Sequence, residues 1–149
     1  MHTVEELMSR PVYTCTHDET LHTAARRMFE RDCGALPVVD HEGRLIGIVT
    51  DRDMCMAAYT QRRLLSEIPV SMAMSTRVFT CRPTDTIDTA EHIMRQRRVR
   101  RVPVVDADHH PVGMLSLDDL ARDAARRQQR DVEHAFVHTM ATICERLSA

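Results

Sequence analysis

An ungapped internal repeat constrains this 149-residue chain more than any other feature: shifted by 66 positions, the sequence lies over itself. Met8-Ser9 falls on Met74-Ser75, Thr14-Cys15 on Thr80-Cys81, and Thr23-Ala24 on Thr89-Ala90. Pro37-Val38-Val39-Asp40 falls on Pro103-Val104-Val105-Asp106, Gly47 on Gly113 and Asp53 on Asp119. Sixteen of the 47 positions from 8 to 54 are identical, and pairs such as Tyr13/Phe79, Leu21/Ile87 and Thr50/Ser116 differ conservatively. The fold must therefore be one that a short unit can adopt twice.

Each copy carries the same sequence of local signals. Val12-Tyr13-Thr14 and Val78-Phe79-Thr80 are β-branched and aromatic, which predicts a short strand. Leu21, Ala24, Ala25 and Met28, echoed by Ile87, Ala90 and Met94, are spaced as one buried stripe of a helix. Leu36-Pro37-Val38-Val39 and Leu45-Ile46-Gly47-Ile48-Val49 flank the turn sequence Asp40-His41-Glu42-Gly43-Arg44, which predicts a hairpin. A second helix opens at Thr50 or Ser116. The unit is β-α-β-β-α, and neither copy is large enough to be comfortable alone. Beyond Ala121 the pattern changes: Val132, Phe136, Met140, Ile143 and Leu147 recur at steps of three and four, an amphipathic helix whose apolar face must dock on its own module or on a partner.

Val-x-Thr, a helix, h-Pro-Val-Val-Asp, then Gly-h-h-[Thr/Ser]-x-x-Asp, in that order and twice over, resembles the CBS domain, and two in tandem resemble a Bateman module. The resemblance covers roughly residues 4–125. It implies an α/β (α+β) fold: two β-α-β-β-α domains packed as a pseudo-twofold pair, at 1–65 and 66–125, with a C-terminal helix over 126–149. It also implies clefts that bind an adenosine-containing ligand, with AMP, ADP or ATP ahead of NAD or S-adenosylmethionine, and association into a homodimer.

The closing motif has two readings. Thr50-x-x-Asp53 and Ser116-x-x-Asp119 are capping-box-like helix starts. The resemblance instead makes Asp53 and Asp119 acceptors for the two ribose hydroxyls and brings the Thr50 and Ser116 hydroxyls to the ligand; a carboxylate, which only accepts, suits a vicinal diol. Both readings can hold together. The copies differ just upstream, where Arg95, Arg97, Arg98, Arg100 and Arg101 of copy two stand against Arg31 followed by Asp32-Cys33-Gly34-Ala35 in copy one. An arbitrary charge run is a solvated face, but the resemblance places phosphate contacts at Arg100 and Arg101, with Arg97 and Arg98 beside them. It also places Thr14, Thr80, Leu36, Pro37, Val102 and Pro103 along the cleft.

The other function classes are weaker. Net charge is -2 and aromatics make up 3% of residues, which argues against a nucleic-acid surface even though all 20 basic residues are Arg. The five cysteines form no Cys-x-x-Cys pair, so neither a disulfide framework nor a metal site is indicated. His109-His110 with Asp106 and Asp108 reads as a polar turn rather than a metal site. No nucleophile–base signature or glycine-rich phosphate loop points to an enzyme, and no catalytic cofactor is expected, only an adenine nucleotide as regulatory ligand. With no apolar run near about 18 residues and no signal-like N-terminus, a cytoplasmic protein without membrane contact is expected, acting on a separate effector. The rival reading is a scaffold that binds no ligand and works through dimerisation and its C-terminal helix.

Overall fold

The computed structural model describes residues 2–127 and 129–145. In chain order the elements are α1 (Val4–Leu7), β1 (Cys15–Thr16), α2 (Leu21–Arg31), β2 (Ala35–Val39), β3 (Leu45–Thr50), α3 (Asp51–Gln61), α4 (Ile87–Arg97), β4 (Arg101–Val105), β5 (Pro111–Ser116), α5 (Leu117–Arg127) and α6 (Arg130–Cys144). Single 3-10 turns at Leu65–Glu67 and Val70–Met72 follow α3. The β-α-β-β-α order read from the sequence is complete in copy one, and in copy two the first strand is reduced to a single bridge at Cys81.

The chain forms two compact units, each with its own core. One is built on copy one, Tyr13–Val78 with the short segment Ala107–Pro111; the other combines the segment up to Val12 with Phe79–Asp106 and the segment from Val112. The repeats are consecutive in sequence, but their leading segments dock crosswise. Met74-Ser75, which opens copy two, lies on β3 of copy one, with Ser75 and Ile48 exchanging backbone hydrogen bonds of 2.9 and 3.0 Å. Met8-Ser9, which opens copy one, lies on β5, with Ser9 and Met114 exchanging bonds of 2.8 and 3.2 Å. The shared glycines allow this approach. A Cβ at Gly47 would stand 2.9 Å from the Ser75 carbonyl oxygen, and one at Gly113 would collide with the Met8 side chain.

The first strand is shorter than the sequence suggests and starts at Cys15, just past the expected Val12-Tyr13-Thr14. β1 pairs in parallel with β2 through Cys15↔Val38 and Thr16↔Val39, and its counterpart is a single bridge, Cys81↔Val104. That register sets Thr14 opposite Pro37 and Thr80 opposite Pro103. The next rung back would need the N–H of residue 37 or 103, which proline lacks. The prolines thus terminate the first strand in both copies. The helices start as their sequences indicate, Thr20 and Thr86 each accepting from the backbone N–H three residues on at 3.2 Å.

In the copy-one unit, Leu21, Ala24, Met28, Leu36, Val38, Val49 and Met54 pack into one buried cluster. In the other, Ala90, Met94, Val102, Val104, Leu115 and Leu120 do the same, joined by Val4 of α1 and Ile143 of α6. α6 therefore docks on its own unit, against α4 and α5. Val132 and Phe136 are partly buried and Ile143 is 7% exposed, as the amphipathic pattern requires, but Met140 is 44% exposed and Thr139 is fully buried in its stead. Leu147 lies outside the described residues. Burying Ile143 stabilises the docked helix by about 2 kcal/mol, and a helix of 15 residues needs such contacts to persist.

Thr139 can be buried because its hydroxyl is satisfied. It donates to Glu91 Oε2 at 3.3 Å and accepts from Arg95 Nη1 at 2.8 Å, while Arg95 also reaches Glu91 at 3.4 Å. Burial raises the Glu91 pKa above the ordinary carboxylate range, against the opposing pull of Thr139 and Arg95. A raised folded-state value means the group stabilises the fold most at acid pH, and this contribution is lost as pH rises through that value. The stability advantage of the native chain over Glu91→Gln is thus expected to be largest in acid and to shrink toward neutrality. Urea denaturation at a series of pH values reads it; a pH-independent difference would refute it.

The matching face of the copy-one unit has no such cover among the described residues. Ala25 and Phe29 are the repeat counterparts of Glu91 and Arg95, and Phe29 is 88% exposed. Ala25, Met28, Met54, Cys55, Ala58 and Leu65, with Asp51 at the edge, line an apolar groove of about 370 Å³ there. Tyr59, one turn beyond Cys55, is 78% exposed.

Candidate ligand-binding site

Both closing motifs are capping boxes in the structure. Thr50 N–H donates to Asp53 Oδ2 at 2.9 Å, and Asp53 N–H donates back to Thr50 Oγ1 at 3.1 Å. Ser116 N–H donates to Asp119 Oδ2 at 2.9 Å, and Asp119 N–H to Ser116 Oγ at 3.3 Å. Beyond that the two carboxylates part company. Asp53 is half-buried and its Oδ1 accepts no hydrogen bond from the described residues. Asp119 is 5% exposed and saturated: Ser116 Oγ donates to Oδ2 at 2.8 Å, while Ser9 Oγ at 3.1 Å and Arg122 both reach Oδ1. The copies agree in sequence at this Asp, but only Asp53 has an oxygen open to an incoming donor.

Most of the arginine run is already engaged within its own unit. Arg95 is held by Glu91 and Thr139. Arg97 lies 4.6 Å from the centre of the Phe79 ring, and its counterpart Arg31 lies 4.8 Å from that of Tyr13, a cation–π contact built into both copies. Arg98 caps α4 in the left-handed region at φ 52 and pairs with Glu145 Oε2 at 3.7 Å. Arg100 Nη2 points to Cys144 Sγ at 3.9 Å. Arg101, half-buried at the start of β4, makes no side-chain hydrogen bond or ion pair with the described residues.

The remaining candidates are less available. Leu36 and Val102 are fully buried core side chains, so only their backbone could meet a ligand; Pro37 and Pro103 are buried with them. Thr14 and Thr80 are half-buried, and the Thr14 carbonyl accepts from Arg27 Nη1 at 2.8 Å. Arg27 also pairs with Glu19 at 2.8 Å.

The CBS-domain pattern matches residues 4–59 and again 65–126. The chain belongs to the CBS-domain family. It is 33% identical over 143 residues to the CBS domain-containing protein YhcV of Bacillus subtilis, covering 93% of this chain and all of that one. Among solved structures, a protein with CBS domains from Burkholderia ambifaria superposes with a TM-score of 0.76 at 30% identity, over 86% of this chain and 97% of that one. The CBS domain pair of protein MJ0100, solved with 5′-methylthioadenosine and S-adenosyl-L-methionine, superposes with a TM-score of 0.75 at 25% identity, over 85% and 98% of the two chains.

Three participants escaped the sequence reading of these CBS domains. Ser9 and Arg122 saturate Asp119; Ser9 lies 110 positions away and no local motif marks it, whereas Arg122 stands at i,i+3 on the same helix, a spacing that signals such a pair. The Arg97–Phe79 contact did leave a signal: Arg31/Arg97 and Tyr13/Phe79 both persist across the repeat.

Proposed function

We propose that this CBS-domain chain is a regulatory module that binds an adenosine-containing ligand, an adenine nucleotide such as AMP ahead of NAD or S-adenosylmethionine, and carries no reaction of its own. One observation carries the reading: Asp53, at the start of α3, keeps one carboxylate oxygen without a partner among the described residues, beside a helix N-terminus that favours anions. The related MJ0100 pair, solved with two adenosine-derived compounds, supports the ligand class. Arg100 and Arg101 are the proposed phosphate contacts, since neither is held by a carboxylate and guanidinium groups bind phosphate in bidentate fashion. Isothermal titration tests this. AMP is expected to bind the native chain, and Arg100→Ala/Arg101→Ala to weaken it by about tenfold or more while leaving adenosine unchanged. Unchanged AMP affinity would remove the phosphate assignment, and no response to any adenosine compound would favour the scaffold reading.

The same reading includes self-association through the bare α2–α3 face. Its rim carries Arg26, Glu30, Asp51 and Arg52, charges of both signs that a second copy related by a twofold axis can match. Light scattering is expected to show a dimer that Phe29→Glu splits into monomers; a native monomer at micromolar concentration would refute this.

A further inference from the structure

We propose that the end of α6 and the phosphate of a bound nucleotide compete for Arg98 and Arg100, so that binding frees the helix end at Cys144 and Glu145. This rests on the phosphate reading above and adds a regulatory output to it. Three of the five arginines between 95 and 101 touch α6 or the residue after it: Arg95 at Thr139, Arg98 at Glu145 and Arg100 at Cys144. The candidate phosphate-binding run and the contacts of the C-terminal helix therefore share Arg98 and Arg100.

The three contacts differ greatly in strength. Arg95 meets a fully buried hydroxyl and a buried carboxylate at the middle of the helix. The Arg98–Glu145 pair spans 3.7 Å, with the Arg side chain 37% and the Glu side chain 67% exposed; a pair of this kind shifts an equilibrium by about fivefold at most. Arg100 has only a thiol sulfur at 3.9 Å, a weak acceptor. A phosphate carries up to two charges and three acceptor oxygens, and its charge-assisted bonds to guanidinium outweigh both exposed contacts. It cannot outweigh the Arg95 anchor and the burial of Ile143 beside it. Displacement therefore stops at Ile143, and among the described residues Cys144 and Glu145 are the ones released.

The geometry also dictates which ligands act. Adenosine, without phosphate, occupies a ribose site but leaves Arg98 and Arg100 with α6. By linkage, whatever AMP does to the helix end the helix end does to AMP affinity, by the same factor.

The test uses the full chain and the variant Glu145→Gln/Cys144→Ala, two exposed substitutions that leave the buried anchor intact. Calorimetry is expected to show AMP binding the variant about two- to fivefold more tightly than the native chain, with adenosine affinity unchanged. In the native chain, amide exchange read by NMR is expected to accelerate at Glu145, whose N–H donates to Ala141 O at 3.0 Å, on adding AMP but not adenosine. If AMP binds both proteins equally and leaves that amide unchanged, the competition is refuted while the ligand reading stands. An equal gain for AMP and adenosine also refutes it. Should no adenosine compound bind at all, the underlying reading fails and this inference falls with it.

Discussion

Replacing Asp119 by alanine is expected to destabilise its unit by about 2–4 kcal/mol, whereas Asp53→Ala should cost about 1 kcal/mol, although the two residues are equivalent in the repeat. The difference comes from the groups each carboxylate holds. Asp53 closes a capping box and nothing more, so its loss is the loss of a helix cap. Asp119 closes the same box and also receives Ser9 and Arg122 at a site that is 5% exposed. Removing it leaves an interior N–H and two hydroxyls short of an acceptor, and a guanidinium without its counter-charge. Arg122 is 60% exposed and can turn to water, which keeps the estimate below that of a fully buried pair. The two cores are separate and need not melt together, so helical circular dichroism in urea is the suitable measurement, with a two-step curve resolved by unit. Equal losses for the two variants would refute the asymmetry. Ligand affinity should respond the other way round, with Asp53→Ala the more damaging to adenosine binding, because only Asp53 offers an open oxygen.

Much of this architecture was legible in the residues. The repeat, the four main helices, both hairpins and the capping residues follow from local periodicity and side-chain chemistry, which depend on neighbours three or four positions away. The features that escaped depend on distant partners. The first strand cannot begin before Cys15, and pairing in copy two cannot begin before Cys81, because of prolines 22 residues downstream, and no window around Thr14 contains that information. The saturation of Asp119 depends on Ser9 from the segment that docks crosswise, and the exposed Met140 on Thr139 finding Glu91 and Arg95 on α4. For the same reason the arginine run looked like a free phosphate cluster in sequence. Its neighbours along the chain show charge, and only the docked α6 shows how much of that charge is in use.

The repeated cysteines show the same limit and allow a sharp chemical test. Cys15 and Cys81 occupy one position in the two copies, and an identity of that kind could mark redox chemistry or packing. Both are buried, at 1% and 3% exposure, and belong to the separate cores of their units. Burial pushes each thiol pKa from 9.0 up to about 12, with the charge of Glu19 adding to the effect at Cys15 and that of Asp85 at Cys81. The thiolate is the reactive species, and a rise of this size lowers its population near neutral pH by about a thousandfold. Cys55 and Cys144 are exposed and Cys33 is half-buried. In a thiol–disulfide exchange assay on the native chain, Cys144 is therefore expected to react rapidly and Cys33 more slowly, while Cys55, which lines the proposed dimer face, should join the fast phase in the Phe29→Glu monomer. Cys15 and Cys81 should react at the rate of unfolding, with all five thiols titrating at once in guanidinium. The Cys15→Ala/Cys81→Ala variant should leave the fast phase unchanged and remove only the slowest one. A fast phase that includes either residue in the native chain would show that its site opens to solvent, and the packing explanation of the repeated cysteine would have to be abandoned.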